Sequence, residues 1–230
     1  MIPNSSRTRL LWENESFAKS VSAGALVLDA GCGESPYRHL FSRARYESAD
    51  FKQVDRKYAE PTYTCDLAAI PVEDDRFDAV LFNQVMEHLP EPAKVLAELY
   101  RVMKPGARMI YTAPFFFEPH EEPYDFYRYT RHGARHLIEA AGFQIERMEW
   151  LEGYFGTVAY QLHKMAEHLP LSPSSISPGM TGFALSPILF GIKAAALAGC
   201  LLFHWLETRQ KFTLGGYPKN YVAIVIKPAK

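Results

Sequence analysis

The chain has 230 residues, 48% of them hydrophobic, and a formal net charge of -1, enough to bury one large core in a single fold with an elaboration. Its positive residues are scattered, which argues against nucleic acid as a partner, because a phosphate-neutralising surface needs a basic stripe. Cys32, Cys65 and Cys200 are widely spaced and form no Cys-X-X-Cys pair, which argues against a disulfide framework or a thiolate zinc site.

Residues 6–21 place Leu10, Leu11 and Phe17 among charges, the pattern of a short amphipathic helix that can act as a lid. No basic segment followed by an apolar run stands ahead of it, so a cytoplasmic location is expected. Residues 25–29, 46–50, 77–83, 107–113 and 143–150 then read as strands. Between them, 37–42, 92–103 and 130–141 read as helices, with Lys104-Pro105-Gly106 and Ala141-Gly142 as stop signals. The alternation predicts parallel strands joined by helical crossovers, a doubly wound, mostly parallel α/β sheet whose ligands bind at the strands' carboxyl ends.

Beyond Trp150 the rhythm breaks. Residues 154–169 read as a helix, 170–182 as a Pro/Ser/Gly-rich linker, 183–206 as an apolar helix whose start Pro187 breaks, and 221–227 as a last strand. The expected organisation is a binding domain over 1–150, a helical cap or insertion over 151–216, and a strand within 217–230 that completes the sheet. The apolar helix needs a cover of protein, lipid-like ligand or membrane surface. A transmembrane span is the alternative, which Lys193 within the run and Pro187 at its start weigh against, and a buried cap helix is the preferred reading.

The chemistry begins where Val27-Leu28-Asp29-Ala30 enters Gly31-Cys32-Gly33, an apolar strand ending in an acid and a glycine turn that lets backbone approach a ligand. Pro36 occupies the place of the third glycine of a dinucleotide fingerprint, which weighs against the alternative of an NAD-dependent oxidoreductase. Asp50 ends the second strand about 20 residues later, where a carboxylate can accept from both ribose hydroxyls. Phe51 can pack on an adenine face or in the core. Asp66, with Leu67 beside it, can accept from an adenine amino group or cap a helix.

Further on, Phe77-Asp78-Ala79-Val80, Met86-Glu87-His88-Leu89-Pro90 and Leu99-X-Arg101-X-X-Lys104-Pro105-Gly106 follow in order. Together with the glycine turn they resemble the class I S-adenosylmethionine (SAM) methyltransferases related to the ubiquinone-biosynthesis enzymes, over about residues 25–150. The resemblance implies a Rossmann-like fold and SAM as cofactor. It also implies that Asp29 helps hold the aminoacyl part, that Gly31, Cys32 and Gly33 form the turn, and that the main chain at Asn83 and Gln84 meets the methionine part. Gln84 replaces the first acid of the Glu-X-X-Glu-His metal turn found in small-RNA 2'-O-methyltransferases, so no metal is expected.

Methyl transfer to a hydroxyl needs a nucleophile in line behind the methyl and a group to take its proton. The aromatic segment 114–130, beyond the fifth strand, supplies His120, Tyr124, Asp125 and Arg128. His120 is the first choice of general base and His88 the second, because imidazole titrates near neutrality. The acceptor is expected to be a small-molecule, saccharide or lipid-linked hydroxyl, with peripheral membrane contact possible. A non-catalytic SAM-binding or membrane-associated scaffold is the remaining alternative.

Overall fold

The computed structural model describes residues 5–52, 54 and 57–229. The chain forms two compact units: Arg9–Leu151 with Asn220–Lys230, and Met1–Thr8 with Glu152–Lys219.

The larger unit is built on a seven-stranded sheet. In chain order the strands are β1 (Leu26–Ala30), β2 (Arg45–Asp50), β3 (Tyr63–Thr64), β4 (Phe77–Asn83), β5 (Met103–Pro114), β6 (Gln144–Trp150) and β7 (Asn220–Ile226). Their spatial order is β3-β2-β1-β4-β5-β7-β6, with β7 antiparallel to both neighbours and the β3-to-β5 pairs parallel. The sheet is the doubly wound, mostly parallel arrangement that the alternation predicts, and the reversal of strand order beside β1 opens the crevice where such sheets bind ligands.

Successive strand residues point to opposite faces, and the apolar runs fill both. Leu28, Val80, Phe82, Met109 and Tyr111 pack on one face with Leu96 and Leu99 of α2 (Pro92–Val102) and Ile138 of α3 (Arg131–Ala140). Val27, Leu81, Ile110, Val222 and Ile224 pack on the other with Leu10 and Phe17 of α1 (Ser5–Ser20). The helix expected as a lid is thus anchored along its length, and its Asn14 is fully buried. Lys104-Pro105-Gly106 ends α2 as expected but is already the start of β5, with Gly106 at φ +82. The chain's end is clamped by Lys227, whose ammonium donates to the carbonyls of Tyr100 (2.8 Å) and Met103 (2.7 Å) and to Asp75 (2.6 Å).

The smaller unit contains α4 (Tyr154–His168), the single turn α5 (Pro173–Ile176) and α6 (Met180–Arg209). α6 runs 30 residues straight through Pro187. The expected break at that proline does not occur; proline removes one backbone donor, and the neighbouring turns continue the helix. The Glu207 carboxylate accepts from the backbone N–H of Gly153 (2.9 Å) and Gly156 (3.1 Å) at the start of α4, meeting donors that a helix N-terminus leaves unpaired. A Cβ on Gly156 would fall 3.2 Å from Glu207, so glycine permits this approach.

Candidate active site

A cavity of about 250 Å³ opens at the carboxyl ends of β1, β2 and β4, near the lower end of the range for ligand pockets. Of the cofactor-side residues singled out from sequence, Gly31, Asp50, Phe51, Asp66, Leu67 and Gln84 line it.

The glycine turn is shaped by its backbone. Gly31 has φ +76 and Gly33 φ +51, left-handed values that glycine adopts without a Cβ penalty. A Cβ on Gly31 would sit 2.5 Å from Val85. The turn is fixed to β2 by Asp50, whose Oδ2 accepts from the Gly33 N–H (2.9 Å) while Oδ1 accepts from the Lys52 N–H (2.9 Å). A carboxylate has about four acceptor positions, so two remain for a ligand's hydroxyls. Phe51 stands 49% exposed on the cavity wall. Asp66 lines the wall while its Oδ1 accepts from the Ala68 N–H (2.8 Å), capping a turn rather than a helix. Gln84 holds a left-handed backbone, φ +55, uncommon for a residue with a side chain. Its N–H donates to the Thr112 carbonyl (2.8 Å), turning the chain sharply out of β4.

Four cofactor-side residues, Asp29, Cys32, Gly33 and Asn83, do not line the cavity. Asp29 is buried, accepts from the Tyr46 hydroxyl, and burial pushes its carboxyl up to about 7. Cys32 is buried and its thiol is pushed up to about 11, chiefly by burial. Asn83 donates from Nδ2 to Asn14 (2.9 Å) and accepts from the Thr112 hydroxyl (3.0 Å). Sequence reasoning missed Val85, Lys52, Tyr58 and Glu121 as wall residues, although Glu121 stands within the segment 114–130 that it singled out.

On the acceptor side, His88 and Tyr124 line the cavity, whereas His120, Asp125 and Arg128 do not. His120 and His88 meet edge-to-face with ring centroids 4.7 Å apart. Of the two histidines singled out from sequence, His88 lines the cavity and His120 packs against His88 without lining the cavity. The reason is the ion pair that folds segment 114–130. Arg128 donates to Asp125 through both terminal nitrogens (2.6 and 2.8 Å), Asp125 Oδ2 accepts from the His120 N–H (2.9 Å), and Arg128 holds the Asp125 carboxyl down at about 2. His120 is thereby drawn towards Asp125, with Nδ1 at 3.6 Å from Oδ2.

His88 Nδ1 lies 2.6 Å from the Tyr124 carbonyl. A carbonyl accepts only, so Nδ1 carries the proton and Nε2 presents its lone pair. Burial is the largest influence on this ring and lowers its pKa below the ordinary imidazole value. Glu87 is fully buried, neither carboxylate oxygen has a hydrogen-bond partner among the described residues, and burial pushes its carboxyl up to about 8. Oε1 lies 3.7 Å from His88 Nε2. Glu87, His88 and His120 offer donor atoms within 4.8 Å of one another, a set with the chemistry to surround a divalent cation that the sequence reading does not expect.

Fold and site together define an α/β domain with a cavity at the switch point of its sheet. Residues 28–111 match the model of the methyltransferase domain. Over these residues the chain is similar to SAM-dependent methyltransferases. It is 30% identical over 138 residues to a probable S-adenosylmethionine-dependent methyltransferase of Mycolicibacterium smegmatis, covering 54% of each chain. It is also 30% identical over 112 residues to the ubiquinone/menaquinone biosynthesis C-methyltransferase UbiE of Desulfotalea psychrophila, covering 43% of this chain and 46% of that one. The chain spans about half the length of these curated relatives. Among solved structures, a SAM-dependent methyltransferase from Aquifex aeolicus aligns with TM-score 0.50 at 25% identity, over 62% of this chain and 85% of that one. The [4+2]-cyclase SpnF aligns with TM-score 0.58 at 18% identity, over 98% of this chain and 82% of that one, a likeness of fold alone.

Proposed function

We propose that this protein transfers a methyl group from SAM to a hydroxyl of a small-molecule, saccharide or lipid-linked acceptor, with His88 as the group that takes the hydroxyl proton. The observation that carries this reading is His88, a residue of the same cavity wall that Gly31 and Asp50 line, with Nδ1 held by the Tyr124 carbonyl so that Nε2 is its free acceptor. When bound, SAM supplies a methyl on a sulfonium leaving group, so the cofactor provides most of the driving force. The chain's own residues bind and orient. Asp50, already oriented by two backbone donors, is suited to two ribose hydroxyls; Phe51, Leu67 and Val85 offer an apolar surface to a purine. Tyr124 fixes the tautomer of His88 through its carbonyl. A proton acceptor is what a hydroxyl acceptor requires.

Asp50→Ala tests the cofactor half. It removes a charged acceptor shared by two hydroxyls and frees the glycine turn, a loss of about 1.5–3 kcal/mol, so S-adenosylhomocysteine should bind roughly 10- to 100-fold more weakly by calorimetry. Wild-type affinity in a folded Asp50→Ala protein, or preferential binding of NAD, would overturn the assignment. Incorporation of labelled methyl into a panel of glycan, quinone and phenol acceptors then identifies the substrate class.

A further inference from the structure

α6 presents a surface that water does not favour. From Met180 to Trp205 its exposed positions carry only apolar side chains, glycine, proline, alanine and Thr181; Phe183 is 71%, Phe190 65% and Leu201 58% exposed. By length and composition the helix is able to cross a membrane. The side that packs within its own unit is the stripe with Ala196, Cys200 and Glu207. An apolar surface this continuous marks an interaction site.

Charge selects the occupant. Residues 152–219 hold five lysines and arginines against three acids in a chain of net charge -1; Glu152 and Glu207 are buried, as is Lys219, which leaves Lys193, Arg209 and Lys211 besides Lys164. The third acid, Glu167, pairs with Lys164 (3.0 Å). Trp205 closes the apolar run with Arg209 over its ring (5.1 Å), and Lys211 follows. Apolar length, an interfacial tryptophan and then basic residues match the order of acyl chains, glycerol region and anionic headgroups.

Topology decides how deep. The chain leaves the sheet at Trp150 and re-enters it at Asn220, in strands that pair with each other, so both ends of the insertion lie on one side of any bilayer. A segment with both ends on one side crosses an even number of times. Among the described residues α6 is the one helix long and apolar enough to cross; α4 has 15 residues and carries His163, Lys164, Glu167 and His168 in its second half. One crossing is forbidden and a second has no helix to make it.

We infer that α6 embeds its exposed face in a single leaflet of an anionic bilayer, making the protein a monotopic membrane binder that meets its acceptor at the lipid surface. The binding part of this inference stands apart from the methyl-transfer reading, and its test reads vesicle association. The full-length protein should co-sediment with vesicles of phosphatidylcholine containing about one-third phosphatidylglycerol, and less with phosphatidylcholine alone. Phe190→Asp combined with Leu201→Asp should weaken this at least about tenfold, since each puts a charge into hydrocarbon. The melting temperature and S-adenosylhomocysteine affinity should be unchanged, as both side chains are exposed. Arg209→Glu, which leaves the apolar face intact, should weaken binding to the anionic vesicles by at least about fivefold. Wild-type protein that stays in the supernatant with both vesicles would overturn the inference. So would undiminished binding by the charged variants, or a dimer that they dissociate without any vesicle binding, which would assign the face to a second copy of the chain.

Discussion

Replacing His88 by alanine is expected to lower methyl-transfer turnover by about two to four orders of magnitude while leaving cofactor affinity near that of the wild type. The expectation rests on three features: the ring fronts the cavity, the Tyr124 carbonyl holds the proton on Nδ1, and burial lowers the pKa. A base with a lowered pKa stays unprotonated to lower pH, so the acid limb of the kcat/KM profile should fall below the ordinary imidazole range rather than within it. His120→Ala should be milder, because that ring supports His88 from behind. Turnover by His88→Ala within tenfold of wild type would remove the role. A chelator should leave the wild-type rate unchanged; loss of the rate, restored by one divalent ion, would instead assign Glu87, His88 and His120 to a cation.

The second large effect concerns stability. The carboxyl of Glu87 rises from the ordinary 4.5 to about 8 on folding, so between these values the folded chain binds a proton that the unfolded chain has lost. Where the native state holds more protons, stability falls as pH rises. This group therefore costs nothing below about pH 4.5, and its cost grows to the order of 4–5 kcal/mol by pH 8, at about 1.4 kcal/mol for each pH unit. Glu87→Gln keeps the shape and removes the titration. Its melting temperature should overtake that of the wild type at alkaline pH, by roughly 10–20 °C at pH 8. Parallel melting curves for the two proteins from pH 5 to 8.5 would show that the Glu87 carboxyl titrates normally in the fold. Asp29 is raised in the same direction and contributes to both proteins, so the difference between them isolates Glu87.

The fold was legible where one physical pattern dominates. Strands buried on both faces read as short apolar runs, and Leu26–Ala30 and Phe77–Asn83 stand within a residue of their expected bounds. The cavity's cofactor side was legible because a tight turn needs Gly31 and a strand end places Asp50 beside it. The acceptor side was less so. That His88 and not His120 faces the cavity depends on an Arg128–Asp125 pair formed when segment 114–130 folds back, and residue types alone do not state which partner an arginine takes. The Asn14 to Asn83 hydrogen bond joins residues 69 apart, and no local pattern reports a contact at that separation. The isolation of Glu87 is likewise a property of its surroundings, which the Met86-Glu87-His88-Leu89-Pro90 motif does not state.

The position of β7 has a consequence for how this chain is made. β5 pairs with β4 on one edge and with β7 on the other, from Arg108 opposite Ile226 to Pro114 opposite Asn220. A ribosome delivers β5 roughly a hundred residues before its second neighbour, and at typical elongation rates that interval is about 5–20 seconds. Throughout it the nascent sheet carries a buried-type strand with one open edge, the template on which other chains add. The apolar α6 emerges in the same interval. Yield in the cell is then set by what shields that edge and that helix during synthesis, so slowing translation ahead of β7 should divert the protein to aggregates even though the finished fold is unchanged.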